Sequence, residues 1–177
     1  MKFTKEDARK RVLNCAKQYQ QNLLHKKLLI IFRERQDNSI RFIEVIFHKR
    51  NYQHLTGLEL TNTEGKILQH QSKNFYRKCI ENKLGLNDVD KVMGGVNFCL
   101  GLSRENDVFV PSSALLEDIK KLTASPSQVL AIFEKDIDSE LYSTVKHVAK
   151  GLNLHHLILP PEINSKISLE HYVYRRK

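Results

Sequence analysis

Apolar residues recur along the first 25 positions at helical spacing. Val12, Ala16, Tyr19 and Leu23 stand three or four residues apart, which puts them on one stripe of a helix. Thr4 followed three residues later by Asp7 resembles a capping box. The pattern predicts a helix over 4–25, with Arg9, Lys10, Arg11 and Lys17 largely off the apolar stripe. The rhythm then shortens. Residues 27–36 and 39–48 are rich in Ile, Leu, Phe and Val. Between them lies Gln36-Asp37-Asn38-Ser39, a turn sequence, because Asp and Asn tolerate left-handed backbone. The prediction is a β-hairpin carrying Arg33, Arg35 and Arg41 on one side.

A third strand is predicted at 53–60, where alternation sets His54 and Thr56 on the same face. Residues 72–82 read as a helix with Phe75, Cys79 and Ile80 inward, and a short helix is predicted at 87–93. Val108-Phe109-Val110 reads as a strand ended by Pro111, with Ser112 or Ser113 capping a helix that runs to 121. Val129–Phe133 reads as a buried strand and His156–Leu159 as a last strand stopped by Pro160-Pro161. Periodicity leaves 140–149 open between strand and helix, and 162–177 reads as a polar, partly mobile tail. Helix first and strands after argue an α+β fold: an N-terminal helix and β-hairpin, then a mostly antiparallel sheet packed with short helices. The expected organisation is one domain over 1–177, with the helix at 1–25, the hairpin at 26–48, a core at 49–160 and a basic tail at 161–177.

Charge sharpens this picture. The formal net charge is +9, and residues 1–60 hold 13 Lys and Arg against 6 Asp and Glu. A concentrated basic face attracts polyanions and releases their counterions on binding. The competing explanation is a solvated surface that keeps the protein soluble. The longest apolar run, Leu28–Phe32, is far below the roughly 20 residues of a membrane span. The charged first residues lack an apolar signal core, so a cytoplasmic location is expected. Cys15, Cys79 and Cys99 form no CxxC pair, which argues against a disulfide framework or a zinc ribbon.

Several chemistries lack their motif. There is no glycine-rich phosphate loop, no GxSxG and no HExxH. His155 and His156 are adjacent and point apart in a strand, so they make poor joint ligands. The acidic run Glu134–Glu140 reads as a turn rather than a two-metal site. The stretch His48-Lys49-Arg50-Asn51-Tyr52-Gln53-His54-Leu55-Thr56 is richer, with two imidazoles, two cations and two hydroxyls in nine positions. Such groups suit metal-independent RNA cleavage. The ribose 2′-OH attacks the neighbouring phosphorus, imidazole transfers protons near its ordinary pKa of about 6.5, and cations offset the added charge. A single histidine on a half-buried strand is also commonly just hydrogen-bonded structure.

Tyr52-Gln53-His54-Leu55-Thr56-Gly57-Leu58 resembles the aromatic-x-His-Leu-Thr-Gly core of the phage barnase/EndoU/colicin/RelE-like nuclease family. Asn74–Cys79 and Lys83–Val89 are similar to that family's following helix and its next segment. Val110-Pro111-Ser112, Asp118–Thr123 and Ile132–Lys135 resemble its later landmarks, so the likeness spans roughly 45–145. The first 25 residues depart from the family pattern.

The resemblance implies helices packed on an antiparallel sheet, ribonuclease activity, no cofactor and no metal. It also implies a phage or mobile-element origin, and hence a bacterial host cytoplasm. It carries over to His54 and Thr56 as catalytic candidates, with Lys49, Arg50, Arg77 or Lys135 stabilising the phosphorane. Arg33, Arg35, Arg41, Lys26 and Lys27 are the candidates for holding RNA. The size, basic helix and arginine-bearing hairpin resemble one use of this fold, a phage anti-CRISPR that disables a type II effector nuclease by shortening its guide RNA. The expected partners are thus a guide or other structured RNA and such an effector, with no membrane and no small-molecule cofactor. Two alternatives stand beside it: an inactive nuclease-fold module that blocks an RNA–protein complex, and an RNA-cleaving toxin.

Overall fold

The structure, a computed structural model, describes residues 4–56, 76–77, 79–81, 99–115, 119 and 126–172. Along the chain the elements are α1 (Lys5–Asn22), β1 (Lys26–Arg33), β2 (Ile40–Ile46), α2 (Asn51–Thr56), β3 (Cys99–Glu105) and β4 (Val108–Leu115). They continue with β5 (Gln128–Asp136), β6 (Thr144–Val148), a 3₁₀ turn at Leu154–His156 and α3 (Pro161–Asn164). Residues 76–77 and 79–80 are also helical. One sheet orders the strands β3-β4-β2-β1-β5-β6. The β1–β2, β1–β5 and β5–β6 pairings are antiparallel and the β2–β4 pairing is parallel. This is the α+β class expected, with a helix and hairpin leading into a mixed sheet.

The chain groups into two compact units. The first comprises Met1–Leu24, Phe47–Ser103 and Val110–Asp118, and the second His25–Ile46, Arg104–Phe109 and Ile119–Lys177. In the first unit α1 opens on the expected capping box. Thr4 Oγ1 accepts from the Asp7 N–H and the Asp7 carboxylate accepts from the Thr4 N–H, both at 3.1 Å. Two donors that a helix start would otherwise strand are thereby satisfied. Ala8, Val12, Ala16 and Tyr19 form the buried stripe, while Lys10, Arg11 and Lys17 are exposed. The Tyr19 ring meets Phe47, Tyr52 and Tyr76 with centroids 6.0, 5.1 and 6.1 Å apart.

In the second unit the hairpin turns where its sequence predicts, with Asn38 at φ 58°. β1 lies between β2 and β5. Leu29 and Ile31 are fully buried with Phe133 and Ala131 of β5 opposite them. Leaving water contributes about 1.5–3 kcal/mol for each large side chain. The same core takes in Leu130, Tyr142, Leu154 and Ile163.

Five expectations change. Residues 53–56 lie in helix α2, not a strand, and 57–60 fall outside the described residues. Pro111 does not end its strand, since β4 runs on to Leu115, so Ser112 and Ser113 are strand residues and not helix caps. The only β2–β4 register described sets Val45 opposite Phe109, two positions before Pro111, so the described pairing calls on no N–H at the proline. His156–Leu159 is not a strand; Asn153 caps a 3₁₀ turn by accepting from the His155 N–H at 3.1 Å. The tail is docked as far as residue 172. Pro161 opens α3, because a proline at the first helical position forfeits no bond, and Ile163 is fully buried. Finally, Arg33 stands opposite Ile40 and Arg41 opposite Phe32, so these two arginines occupy opposite faces of the hairpin. The segment 140–149, which periodicity left open, contains β6, and β3 was not foreseen. The helix expected at 87–93, most of the one expected at 72–82, and residues 116–118 and 120–121 of the one expected to run to 121 lie outside the described residues.

Candidate functional site

The sequence-predicted catalytic segment follows β2 in the first unit, and its backbone is clamped at His48. Tyr19 Oη donates to the His48 carbonyl at 2.8 Å, and Asn51 Oδ1 accepts from the His48 N–H at 2.8 Å. Asn51 is 5 % exposed, and its Nδ2 donates to the Pro111 carbonyl at 2.8 Å. Tyr52, also buried, donates from Oη to the Val12 carbonyl at 2.6 Å. Burial pushes the Tyr19 and Tyr52 phenols well above the ordinary tyrosine range, so both remain hydrogen-bond donors. The inward residues thus fix the segment, and Lys49, Arg50 and His54 lie on its exposed side.

Thr56 does not share a face with His54. Two residues along a helix turn the side chain through about 200°, and Thr56 Oγ1 donates to the Gln53 carbonyl at 2.7 Å. Arg77 is exposed on the helical residues 76–77 and pairs with Glu81 at 3.5 Å. Its neighbour Tyr76 packs on Tyr52 with ring centroids 5.8 Å apart, which sets that segment against α2. Lys49, Arg50 and His54 thus lie exposed on the turn and helix that follow β2, and Arg77 is exposed on the segment whose Tyr76 packs against Tyr52 of α2. An exposed imidazole with cations nearby can move a proton and offset negative charge at a phosphate.

The other candidates belong to the second unit. Lys26 pairs with Asp136, and Lys27 Nζ lies 3.2 Å from Glu44. Lys135 stands directly opposite Lys27 in the β1–β5 register, donates to the Glu140 carbonyl at 2.9 Å and sits 4.9 Å above the Tyr142 ring. Arg41 is tied into the hairpin turn by Asp37 and Ser39, each at 3.2 Å. Asp37 is held at about 2 by the Ser39 hydroxyl first, then by the Ser39 N–H and Arg41. Arg35 is exposed, while Arg33 is half-buried and its Nε has no hydrogen-bond partner among the described residues.

Four residues with a part in these arrangements went unnoticed as site residues in the sequence: Tyr19, Asn51, Glu44 and Tyr142. Each acts through a contact distant in sequence, and only Tyr19 had a signal, as a member of the α1 stripe. Among the described residues no group of three or more His, Cys, Asp or Glu is placed to hold a metal ion, and no helix is long and apolar enough to cross a membrane.

No curated protein and no solved structure matches the chain. A family model does. The match takes in α1 from residue 11 on and the hairpin, which the sequence likeness had left out, and it stops before the landmarks at 110–112, 118–123 and 132–135. Residues 11–95 are similar to the family described as phage-Barnase-EndoU-ColicinE5/D-RelE like nuclease4.

Proposed function

We propose that the chain is a metal-independent endoribonuclease whose reacting groups lie on His48–Thr56. The observation that carries this is the clamp. Tyr19, Asn51 and Tyr52 fix the backbone of a short segment inside the family match while Lys49, Arg50 and His54 face solvent. Preorganised charge of this kind is the main source of stabilisation for a phosphorane.

In the proposed step the 2′-oxygen forms a bond to phosphorus and the P–O5′ bond breaks. One group takes the 2′-OH proton and another gives a proton to the departing O5′. The products are a 2′,3′-cyclic phosphate and a 5′-hydroxyl. His54 supplies one of the two proton transfers, and Lys49, Arg50 and Arg77 offset the charge on the non-bridging oxygens. The hydroxyl proton of Thr56 is committed to Gln53, so Thr56 can act toward a partner only through its lone pairs. The substrate is structured RNA, and the narrower proposal is the guide RNA of a type II CRISPR effector, with the protein acting in the bacterial host cytoplasm as an anti-CRISPR of phage origin.

The test is incubation with end-labelled RNA in EDTA, free and bound to the effector. Shorter products ending in a cyclic phosphate support the enzyme. The placement of Thr56 away from His54 favours a second outcome, a binding module on a nuclease fold, which would retain RNA without cutting it. Growth arrest on expression in cells lacking CRISPR would instead identify a toxin.

A further inference from the structure

A second polar centre lies wholly within the second unit, on the sheet face that carries its core. Glu44 of β2 is the hub. Its carboxylate accepts from Tyr142 Oη at 2.7 Å and lies 3.2 Å from Lys27 Nζ and 3.6 Å from Lys166 Nζ. Tyr142 is 1 % exposed, and Lys135 Nζ stands over its ring. Lys166 Nζ lies over the Phe42 ring at 5.6 Å. Two ammonium groups therefore flank the carboxylate, and a third stands over the ring of the tyrosine that donates to it. Glu140 is exposed and meets Lys135 through its backbone carbonyl.

A purely structural ion pair needs one cation for one carboxylate. Here Lys27 and Lys135 occupy directly opposed positions on antiparallel strands, where like charges repel. The uncompensated positive charge sits over a largely buried phenol and carboxylate, where screening by water is reduced. Lys166 is 37 % exposed, so the centre can be reached from solvent. Ammonium groups converging on a site that also holds a fixed hydroxyl suit a tetrahedral oxyanion.

We propose that Lys27, Lys135 and Lys166, arrayed around Glu44 and Tyr142, bind a phosphate group. Lys135 and Lys166 contact the ligand. Glu44 and the Tyr142 hydroxyl position Lys27 and keep the three cations from driving one another apart. The phosphate can come from an RNA strand, which would rest on and deepen the nuclease proposal, or from a small phosphorylated compound.

The experiment is calorimetric titration of the full chain with pyrophosphate and with a 5′-phosphorylated RNA tetranucleotide, against the same RNA without its phosphate. Lys135→Gln and Lys166→Gln should each weaken binding by roughly tenfold or more, the loss of one charge-assisted hydrogen bond. Lys146→Gln, whose lysine lies 3.1 Å from the Glu134 carboxylate, should leave it unchanged. Thermal midpoints of all variants check that they fold, and Lys166→Ala serves as a second variant if Lys135→Gln does not. Binding of pyrophosphate alone assigns a small phosphorylated ligand, and preference for the phosphorylated tetranucleotide assigns a strand. No binding of any probe by the wild type, or equal binding by all three variants, overturns the site. RNA cleavage is scored separately. Cleavage without phosphate binding sinks this centre and spares the nuclease, and binding without cleavage does the reverse.

Discussion

Asn51 Nδ2 donates to the Pro111 carbonyl at 2.8 Å while the same amide accepts from the His48 N–H at 2.8 Å. One buried side chain thus satisfies two backbone groups 63 positions apart in the sequence, as His48 and Pro111. Asn51→Ala leaves both unpaired, at a cost of about 1–3 kcal/mol for each group that stays dry. Asn51→Asp keeps the acceptor and loses the donor, so it should destabilise too. Chemical denaturation of both variants measures this, and wild-type stability in Asn51→Ala would show that the clamp holds nothing.

His54 lies on the exposed side of α2. Its replacement by alanine should therefore leave stability within about 0.5 kcal/mol while cleavage falls by about 10² to 10⁴ if it transfers a proton. The two measurements on one variant separate a chemical role from a structural one. Full cleavage by His54→Ala would remove the imidazole from the mechanism.

The hairpin arginines should differ among themselves. Arg35 is exposed with no ion pair among the described residues, whereas Arg41 is engaged by Asp37 and Ser39. If the hairpin holds RNA, Arg35→Ala should flatten the dependence of log affinity on log salt by about 0.7, the counterion release of one single-strand phosphate contact. Arg41→Ala should loosen the turn and change that slope less. Equal slopes for wild type and Arg35→Ala would make the hairpin a structural element only.

The elements that were legible in the sequence are those whose signal is local. The α1 stripe of Val12, Ala16 and Tyr19 repeats at 3.6 residues, and Asp37-Asn38 supplies the one left-handed residue the turn requires. α2 was misread because six residues make less than two turns, too few for periodicity to outvote the alternation of Leu55, Gly57 and Glu59 with His54, Thr56, Leu58 and Leu60. The basic residues of the candidate site were legible by type, and its geometry was not. Asn51 acts through Pro111, and Glu44 through Tyr142 and Lys166. Partners that far along the chain leave no trace in spacing. The 3₁₀ turn at Leu154–His156 was lost for a similar reason, since its apolar residues face a core supplied by β1 and β5.

Glu44 predicts a pH dependence. Burial raises its carboxyl pKa, and the Tyr142 hydroxyl, Lys27 and Lys166 together outweigh burial, leaving it below the usual value for a glutamate. A group depressed in the folded state stabilises above its unfolded pKa, about 4.3 for glutamate. That contribution is lost as pH falls through the lower folded value. Glu44→Gln should therefore be less stable than wild type at neutral pH, with the gap closing in acid. Urea midpoints for both proteins at neutral pH and at about pH 3 measure it. A gap of constant size would mean that the three partners do not act on the ionised carboxylate.

Ile163 tests whether the C-terminal segment belongs to the core of the second unit. It is fully buried on α3, a single turn that Pro161 starts and that holds few hydrogen bonds of its own. Short helices are marginal alone, so this turn persists through the packing of Ile163 against the cluster of Leu29, Ile31, Phe133 and Tyr142. Ile163→Ala removes buried methyl groups and leaves a cavity, which should cost about 2–5 kcal/mol. At roughly 2–4 °C per kcal/mol for a chain of this size, the thermal midpoint should fall several degrees. Glu162→Ala, one position away and exposed, should move it little. If both substitutions shift the midpoint equally, the segment lies on the unit without supporting it, and Lys166, three residues on, would lose the anchor that presents it to Glu44.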